Sequence, residues 1–323
     1  MSFLSTAVQR VFEEGSFCYV ATLTPNGPHC TPLVFAFSGG RIWLTTARGS
    51  VKATAWSGDA TVAGMIRSRE LAVTFVGRVS TYDLLDSNTW AATLAEAPQL
   101  ARASLRFSKK NARFFAGYAF DARQVPLAWT PPGRVFVGIE IERTALIDES
   151  GVAEGRSRWN AETSSLAAFR RPRSGADPFS GSPPQISRAL EREGSGALGI
   201  VGSGGLVVLP ARWKAYEREL LAAVPTQTLS LASPEPTSPA VLTVDRPSAW
   251  RARDMVGAMF QGSAEVFEPR ELKTGARSAS SLIRSIDPRA GSLVRIGVSR
   301  IVWWQGWTSG SRPLPGASAR AER

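Results

Sequence analysis

Residues 18–65 read CYVATLTPNGPHCTPLVFAFSGGRIWLTTARGSVKATAWSGDATVAGM, and this stretch indicates the fold. Turn signals at 26–27 (Asn-Gly) and 39–40 (Gly-Gly) separate apolar, alternating runs, which is the usual punctuation of β-hairpins. The third run, 42–46, leads through Ala-Arg-Gly-Ser at 47–50 into a segment with helical character. The sequence therefore predicts three antiparallel strands and then a helix, as in a small β-barrel.

The start of that helix has the composition of a phosphate site. Ser50 is a good N-cap, which leaves free backbone N–H groups at the helix start. Its hydroxyl and the side chains of Arg48 and Lys52 converge on the same place. Because fixed N–H donors and cations together bind a dianion, we predict that the barrel holds a phosphorylated cofactor here.

Composition favours a soluble, β-rich protein with a full core. The chain has 323 residues, 43% of them hydrophobic, and its 21 prolines and 29 glycines indicate many turns. The net charge of +11 comes mainly from scattered arginines, which favours a solvated basic surface over a nucleic-acid face. An anionic cofactor or substrate fits that charge equally well. No signal peptide and no membrane-length apolar run is apparent, so we expect a cytoplasmic protein.

Few residues offer other chemistry. Cys18 and Cys30 lack metal-ligand spacing and lie in strand patterns, where a buried free thiol is the default, and we predict no metal site. His29, the single histidine, lies in a hairpin, which favours packing over catalysis and leaves no Ser-His-Asp set. No catalytic residue can be assigned.

The chain divides into two parts. We predict an N-terminal barrel at 1–150 with a helical insert at 87–116, an irregular linker at 151–190, and a shortened C-terminal barrel at 191–308. Residues 309–323 are expected to form a disordered basic tail.

The two parts repeat each other in three places that follow the same order. The aligned segments are 241–250 over 43–52, 255–267 over 72–82 with Gly262 on Gly77, and 294–300 over 137–143. Three weak matches in one order favour a duplicated barrel, in which the second part lacks a hairpin near 58–69.

The first half resembles the FMN-binding split-barrel family, which includes pyridoxamine 5′-phosphate oxidase. The resemblance rests on the strand, Asn-Gly-Pro-His turn, strand, Gly-Gly turn and Thr-x-x-x-x-Ser-x-Lys order over 17–83, and on Arg-Ile-Val-Trp-Trp-Gln-Gly at 300–306. It implies a split barrel that dimerises and holds a flavin in the groove between two barrels. A duplicated chain would be such a dimer within one polypeptide.

The resemblance also assigns cofactor-binding residues. It implies that Pro32, Leu33 and Val34 line the isoalloxazine ring and that Thr45 and Thr46 approach the ribityl chain and phosphate. The phosphate ligands are then Arg48, Ser50 and Lys52, and Trp304 contacts the flavin. Apolar walls with few polar groups suit a flat ring, which agrees with this assignment.

Departures from the family pattern exclude its best-known activity. Ala72 stands where pyridoxamine phosphate oxidases carry a glutamine, and Trp-Thr-Ser follows Gly306 where they carry Arg-x-His. The sequence thus predicts an FMN-dependent oxidoreductase that exchanges hydride with another small organic substrate. Two alternatives stay open: a deazaflavin-dependent reductase of the same fold, and a non-catalytic protein that binds a flavin or another anionic ligand. Higher oligomerisation cannot be inferred.

The repeat also predicts how many cofactors bind. Alignment of 241–250 with 43–52 puts Trp250 at the position of Lys52, and Ile147 falls at the position of Trp304. Only one of the two pseudo-symmetric grooves would then have both a cradle and a tryptophan, so we expect one flavin per chain.

Overall fold

The computed structural model describes residues 4–121, 123, 125–126, 130–155, 159, 176–216, 218–248, 251–267, 286–287 and 291–315. Most of the predicted linker, at 156–158 and 160–175, and the tail at 316–323 lie outside these ranges. The helices are α1 Thr6–Glu14, α2 Val51–Gly58, α3 Trp90–Ala95, α4 Ala97–Lys110, α5 Ala112–Phe120, α6 Pro184–Ala189 and α7 Thr226–Leu229.

The first half forms one antiparallel sheet that closes on itself. Its strands are β1 Phe17–Thr24, β2 Gly27–Ser38, β3 Arg41–Ala47, β4 Thr61–Ser68, β5 Leu71–Tyr82, β6 Arg134–Asp148 and β7 Gly151–Glu154. They run in the order β3-β2-β1-β4-β5-β6-β7, and β3 also pairs with β6. That extra pairing turns β1–β6 into a barrel, whose interior packs apolar side chains such as Phe12, Phe35 and Phe75.

The second half repeats the same architecture. Its strands are β8 Glu193–Gly202, β9 Gly205–Tyr216, β10 Glu219–Val224, β11 Thr237–Arg246, β12 Val256–Phe267, β13 Ser292–Gln305 and β14 Thr308–Pro313. The order β10-β9-β8-β11-β12-β13-β14, with β10 also on β13, matches the first sheet strand for strand. Two barrels with peripheral helices confirm the predicted fold class.

Strand pairing fixes which residues of the two barrels correspond. Each barrel has a β-bulge between its fifth and sixth strands, where the sixth strand has one extra residue: Gly77 pairs with Ile141 beside the first bulge, and Gly262 pairs with Val298 beside the second. The predicted match of Gly262 with Gly77 is therefore confirmed, and the same register places Val294 on Val137.

The predicted match of 241–250 with 43–52 is wrong. β11 takes the place of β4, and the equivalent of β3 is β10, which pairs with β13 as β3 pairs with β6. Residues 43–46 and 241–244 resemble each other because both are apolar strands with threonine, and such a pattern carries no information about strand order. The register instead makes Ala223 the equivalent of Thr45, and counting onward makes Ser230 the equivalent of Lys52.

Two further expectations need correction. The second barrel is not shortened by a hairpin, since it has a counterpart for every strand of the first. Residues 151–154 belong to β7 rather than to a linker, and residues 309–313 lie in β14 rather than in a disordered tail. Both segments pair with the long sixth strand of their own barrel, which orders them.

The two barrels pack face to face, and the equivalent strands β2 and β9 each contact the opposite barrel. β2 lies against β8, β11 and β12, whereas β9 lies against β4, β1 and β5. Backbone groups of β2 bond across this interface, because Thr243 Oγ1 donates to Cys30 O at 2.8 Å and Gln261 Nε2 donates to Pro28 O at 2.8 Å. The chain is thus an intrachain pseudo-dimer. Among the described residues, no helix is long and apolar enough to cross a membrane.

Candidate functional site

Lys52 lies inside the protein although its side chain is an amine. It stands in the first turn of α2, is 4% exposed, and donates a hydrogen bond from Nζ to Thr31 Oγ1 on β2. Among the described residues, no carboxylate forms an ion pair with it. Burial lowers the pKa of Lys52 from 10.5 to about 8, and the nearby charge of Arg134 acts in the same direction. At neutral pH this ammonium is therefore charged, with no counter-ion in the part of the chain that the structure describes.

Arg134 is a second cation of this site, and no local motif marked it in the sequence. It begins β6, where it pairs with Ala47 at the end of β3. Its Nε donates to Thr45 Oγ1 at 2.9 Å and its Nη2 donates to Thr45 O at 2.7 Å. Burial lowers the pKa of Arg134. Only the β3–β6 pairing, which joins distant parts of the chain, could have revealed it.

Hydroxyl groups complete the cradle around Lys52. Ser50 is the N-cap of α2, as predicted, because its side chain accepts a hydrogen bond from Ala53 N at 3.2 Å. The hydroxyls of Thr46 and Ser50 are 2.9 Å apart. Together with Thr31 and Thr45, they put four hydroxyl-bearing side chains next to the two cations. We call Thr45, Thr46, Ser50, Lys52 and Arg134 the first cradle.

The predicted phosphate ligand Arg48 is directed elsewhere. Its guanidinium forms an ion pair with Asp83 and donates from Nη2 to Pro132 O at 3.2 Å. Burial raises the pKa of Asp83, but the hydrogen bonds from Arg48 and from the backbone of Leu85, together with the charge of Arg48, bring the net shift below its usual value. The guanidinium of Arg48 is thus already neutralised, and its contact with a phosphate stays a prediction.

The second barrel approaches the first cradle through β13 and the β13–β14 turn. The rings of Tyr118 on α5 and Trp307 in that turn are 5.1 Å apart and nearly perpendicular. Arg253 forms an ion pair of 3.0 Å with Asp121 beside them. Burial, and then the charges of Lys52 and of Arg300 on β13, lower the pKa of His29 to about 3. His29 is therefore neutral at physiological pH.

Trp304 lies on β13 opposite Gly257 of β12. Its indole ring covers Gly257 so closely that any Cβ there would collide with it. The neighbouring Trp303 points to the other face and covers Gly310 in the same way. Both indoles are half-buried, and contact between Trp304 and a flavin stays a prediction.

The β2 residues predicted to line the ring are divided between two faces. Pro32 is buried, Leu33 packs against the core of the first barrel and Val34 is half-buried. Their equivalents in the second barrel provide a further observation about this groove. One cavity of about 490 Å³ is lined by the equivalents of Pro32, Leu33, Val34, Thr45 and Trp304, which are Pro210, Ala211, Arg212, Ala223 and Ile147. The pseudo-two-fold relation therefore predicts that Pro32, Leu33, Val34, Thr45 and Trp304 also face one groove, which we call the first groove.

The remaining candidate groups offer little chemistry. Cys18 and Cys30 are buried and free, as predicted. Burial raises the pKa of both thiols, that of Cys30 to about 12, so neither is a thiolate at neutral pH. Within the described ranges, no three His, Cys, Asp or Glu side chains come together in a group that could hold a metal ion.

Among known proteins, similarity to this chain is found only with solved structures. No protein-family model matches the chain, and no curated protein matches it. An FAD-binding protein from Mesorhizobium loti is 18% identical, covers 44% of this chain and 94% of its own, and has a TM-score of 0.33. A pyridoxamine 5′-phosphate oxidase-related, FMN-binding protein from Nostoc punctiforme is 17% identical, with coverages of 47% and 88% and a TM-score of 0.33.

A third similar structure is an F420 reductase. It is 16% identical, covers 44% of this chain and 98% of its own, and has a TM-score of 0.30. Each of these proteins thus matches about one barrel's length of this chain. The resemblance to split-barrel proteins is confirmed for the fold, which the strand pairing of both barrels establishes by itself. At such identities it extends no further.

Proposed function

We propose that the chain binds one FMN in the groove between the first cradle and β13, and that it is a flavin-dependent oxidoreductase acting on a small organic molecule. The observation that carries this proposal is Lys52, a buried ammonium with no ion-pair partner among the described residues. A phosphate would supply the missing counter-charge, and the surrounding hydroxyls and the start of α2 would supply hydrogen bonds.

Different residues would bind the phosphate, the ribityl chain and the ring of the cofactor. Lys52 and Arg134 would hold the phosphate with Ser50 and Thr46, and Thr45 would face the ribityl chain. Pro32, Leu33 and Val34 of β2 would form one wall for the ring, with Trp304 contributing from the second barrel. Arg48 would assist only if its ion pair with Asp83 opened, so we place it outside the direct ligands.

The chemistry would come from the cofactor. A bound flavin supplies two-electron redox reactions, whereas the protein contributes binding, orientation and electrostatics. His29, neutral and flanked by two positive charges, is a poor general base at physiological pH. Ala72 and the Trp-Thr-Ser sequence after Gly306 argue against pyridoxamine phosphate as the substrate. We therefore assign no catalytic side chain.

Cofactor binding can be tested with the purified full chain. FMN and a deazaflavin coenzyme are each titrated into the protein, and bound cofactor is measured by absorbance after gel filtration. We expect FMN to be retained, and Lys52→Ala to weaken retention at least tenfold while Lys109→Ala, at an exposed lysine of α4, leaves it unchanged. Retention of deazaflavin alone would replace FMN by that coenzyme, and retention of neither would overturn the proposal.

Enzymatic activity needs a separate measurement. The FMN-loaded protein is mixed with NADH or NADPH under anaerobic conditions, and bleaching of the flavin absorbance is followed before and after addition of a quinone. Bleaching and recovery would support an oxidoreductase. A flavin that stays oxidised with both donors would favour the alternative of a non-catalytic flavin-binding protein.

A further inference from the structure

The pseudo-two-fold mate of the proposed flavin groove is present as a separate cavity. We call it the second groove: the cavity of about 490 Å³ between β4–β5 and the end of β6 on one side and β9 and β10 on the other. Its apolar lining includes Ala72, Ile147 and Ala211, all of them buried. These side chains form a floor on which a compact apolar body could rest.

The second groove lacks the means to hold a flavin phosphate. At the position of Lys52 the second barrel has Ser230, and at the position of Arg134 it has Gly291, which precedes the equivalent of Val135. Thr46 is replaced by Val224, a buried apolar residue. Because neither position holds a cation, the described residues at this end of the groove offer a dianion no equivalent of the Lys52 and Arg134 pair.

Positive charge is found elsewhere in the second groove, on Arg67 of β4, on Arg212 of β9 and on the exposed Arg69 of the β4–β5 turn. The half-buried guanidinium of Arg67 makes no hydrogen bond or ion pair with another described residue. Arg67 and Arg212 line the same cavity, and burial lowers the pKa of Arg67, with the charge of Arg212 acting in the same direction. Arg212 is oriented by its hydrogen bond from Nη1 to Ser195 Oγ at 2.8 Å.

The nearest carboxylate only partly balances Arg67. Asp245 attracts it but stays beyond ion-pair distance, and accepts the Tyr19 hydroxyl at 2.9 Å instead. Burial raises the pKa of Asp245 to about 6, against the effects of Tyr19 and Arg67. Asp245 thus balances Arg67 only from a distance and makes no ion pair with it, so an anionic group in the groove would supply a direct partner for Arg67 and for the nearby charge of Arg212.

The rim of the second groove limits the charge of such a ligand. Glu70 and Glu149 are exposed there, Asp287 is half-buried, and Asp148 accepts hydrogen bonds in the turn that it forms with Ser150 and Gly151. Exposed carboxylates act weakly on a single charge but repel a polyanion more strongly. They therefore favour a ligand with one negative charge over a nucleotide or a flavin phosphate.

We propose that the second groove binds a small organic monoanion, whose acidic group lies between Arg67 and Arg212 and whose apolar body rests on Ala72, Ile147 and Ala211. Such a site differs from the proposed flavin site in both position and ligand class. It does not depend on flavin binding in the first groove.

The test uses two fluorescent probes of the same shape that differ in charge. Anilinonaphthalene sulfonate is the monoanion, and phenylnaphthylamine is its neutral analogue. Each is titrated into the full-length protein and into Arg67→Gln, Arg212→Gln, the double variant and Arg67→Lys. Arg78→Gln is the matched control at an exposed arginine of β5, and Lys52→Ala reports on the first groove. Circular dichroism and melting confirm that each variant is folded.

We expect the sulfonate to bind more tightly than the neutral probe, and the double variant to weaken sulfonate binding roughly tenfold or more while the neutral probe is unaffected. Arg67→Lys should keep part of the preference for the sulfonate over the neutral probe, and Arg78→Gln and Lys52→Ala should keep all of that preference. Unchanged sulfonate binding in the double variant would overturn the proposal. So would an equal loss for both probes, or a loss in Lys52→Ala instead.

Discussion

At the scale of single residues, the buried charge of Lys52 lowers the stability of the folded protein and at the same time favours the binding of an anion. A buried ammonium without a counter-ion destabilises the folded protein, and the lowering of its pKa from 10.5 to about 8 corresponds to ~3 kcal/mol at neutral pH. The same uncompensated charge is what makes the first cradle attractive to an anion. When the cradle is empty, the protein is thus less stable than it would be with an uncharged side chain of similar size at position 52.

We therefore predict that Lys52→Met stabilises the protein without cofactor. Methionine has a similar length and fills the same space with no charge to desolvate. The free energy of unfolding at pH 7, measured with urea, should rise by about 1–3 kcal/mol, because the lost hydrogen bond to Thr31 offsets part of the gain. A decrease would show that the ammonium is compensated in the folded state.

The pH dependence gives a second measurement on the same pair of proteins. Between pH 8 and 10.5 the unfolded chain keeps the Lys52 proton and the folded protein has lost it, so stability from this residue rises with pH in that range. The difference in unfolding free energy between Lys52→Met and wild type should therefore shrink from pH 7 to pH 10. A constant difference would contradict the burial of the charge.

At the scale of elements, the bulges at Gly77 and Gly262 shape the two barrels in the same way. A Cβ at Gly77 would collide with the carbonyl oxygen of Glu140, and a Cβ at Gly262 with that of Gly297. In both cases the obstacle is backbone, which cannot turn away as a side chain could. The bulge therefore requires glycine for close approach of the neighbouring strand.

Gly77→Ala and Gly262→Ala should each destabilise the protein by about 1–3 kcal/mol, since the strand must shift to admit a methyl group. Gly58→Ala is the matched control, because nothing lies within 4 Å of a Cβ at the end of α2. The melting temperature of Gly58→Ala should equal that of the wild type or lie slightly above it. An unchanged melting temperature in Gly77→Ala would mean that the bulge relaxes freely.

Local signals in the sequence predicted the strands but not their partners. The Asn-Gly and Gly-Gly turns mark the ends of β1, β2 and β3, because turn chemistry is local. The match of β11 with β3 failed for the opposite reason, since two apolar strands look alike whatever they pair with. Arg134 escaped detection for a related reason, because the β3–β6 pairing brings it to Thr45. Ser50 was found because an N-cap is a local feature.

At the scale of the whole molecule, the pseudo-two-fold relation is broken at the two proposed ligand sites. The first groove has Lys52, Arg134 and Trp304, and the second has Ser230, Gly291 and Ile147 in their places. The predicted match of 241–250 with 43–52, which put Trp250 at the position of Lys52, was wrong. The register taken from strand pairing puts Ser230 there and again predicts one cofactor per chain.

FMN titration should therefore saturate at one molecule per chain, with concentrations set by flavin absorbance and amino-acid analysis. Lys52→Ala should weaken that single binding event, because Ser230 and Gly291, at the positions of Lys52 and Arg134 in the second groove, carry no charge that could hold the phosphate there instead. Saturation at two molecules per chain would contradict the assignment. So would one strongly bound FMN remaining in Lys52→Ala.

The contact between barrels depends on pH through Asp245. Its pKa of about 6 exceeds the usual 3.8, so its contribution to stability is lost as pH rises through 6, and the Tyr19 hydroxyl limits that loss. Tyr19→Phe should reduce the free energy of unfolding by about 1–3 kcal/mol at pH 8 and by less at pH 5. Tyr216→Phe, at an exposed tyrosine, should change neither value. Equal effects of Tyr19→Phe at both pH values would contradict a charged Asp245.

Arg67 and Asp245 occupy equivalent positions in the two barrels and attract each other across the interface. Two copies of the first barrel packed in this way would bring two arginines together, and two copies of the second would bring two buried carboxylates together. Like charges at such a contact oppose association, whereas the native pairing joins opposite charges. The charges of Arg67 and Asp245 therefore favour the packing of one barrel type against the other over the packing of two identical barrels.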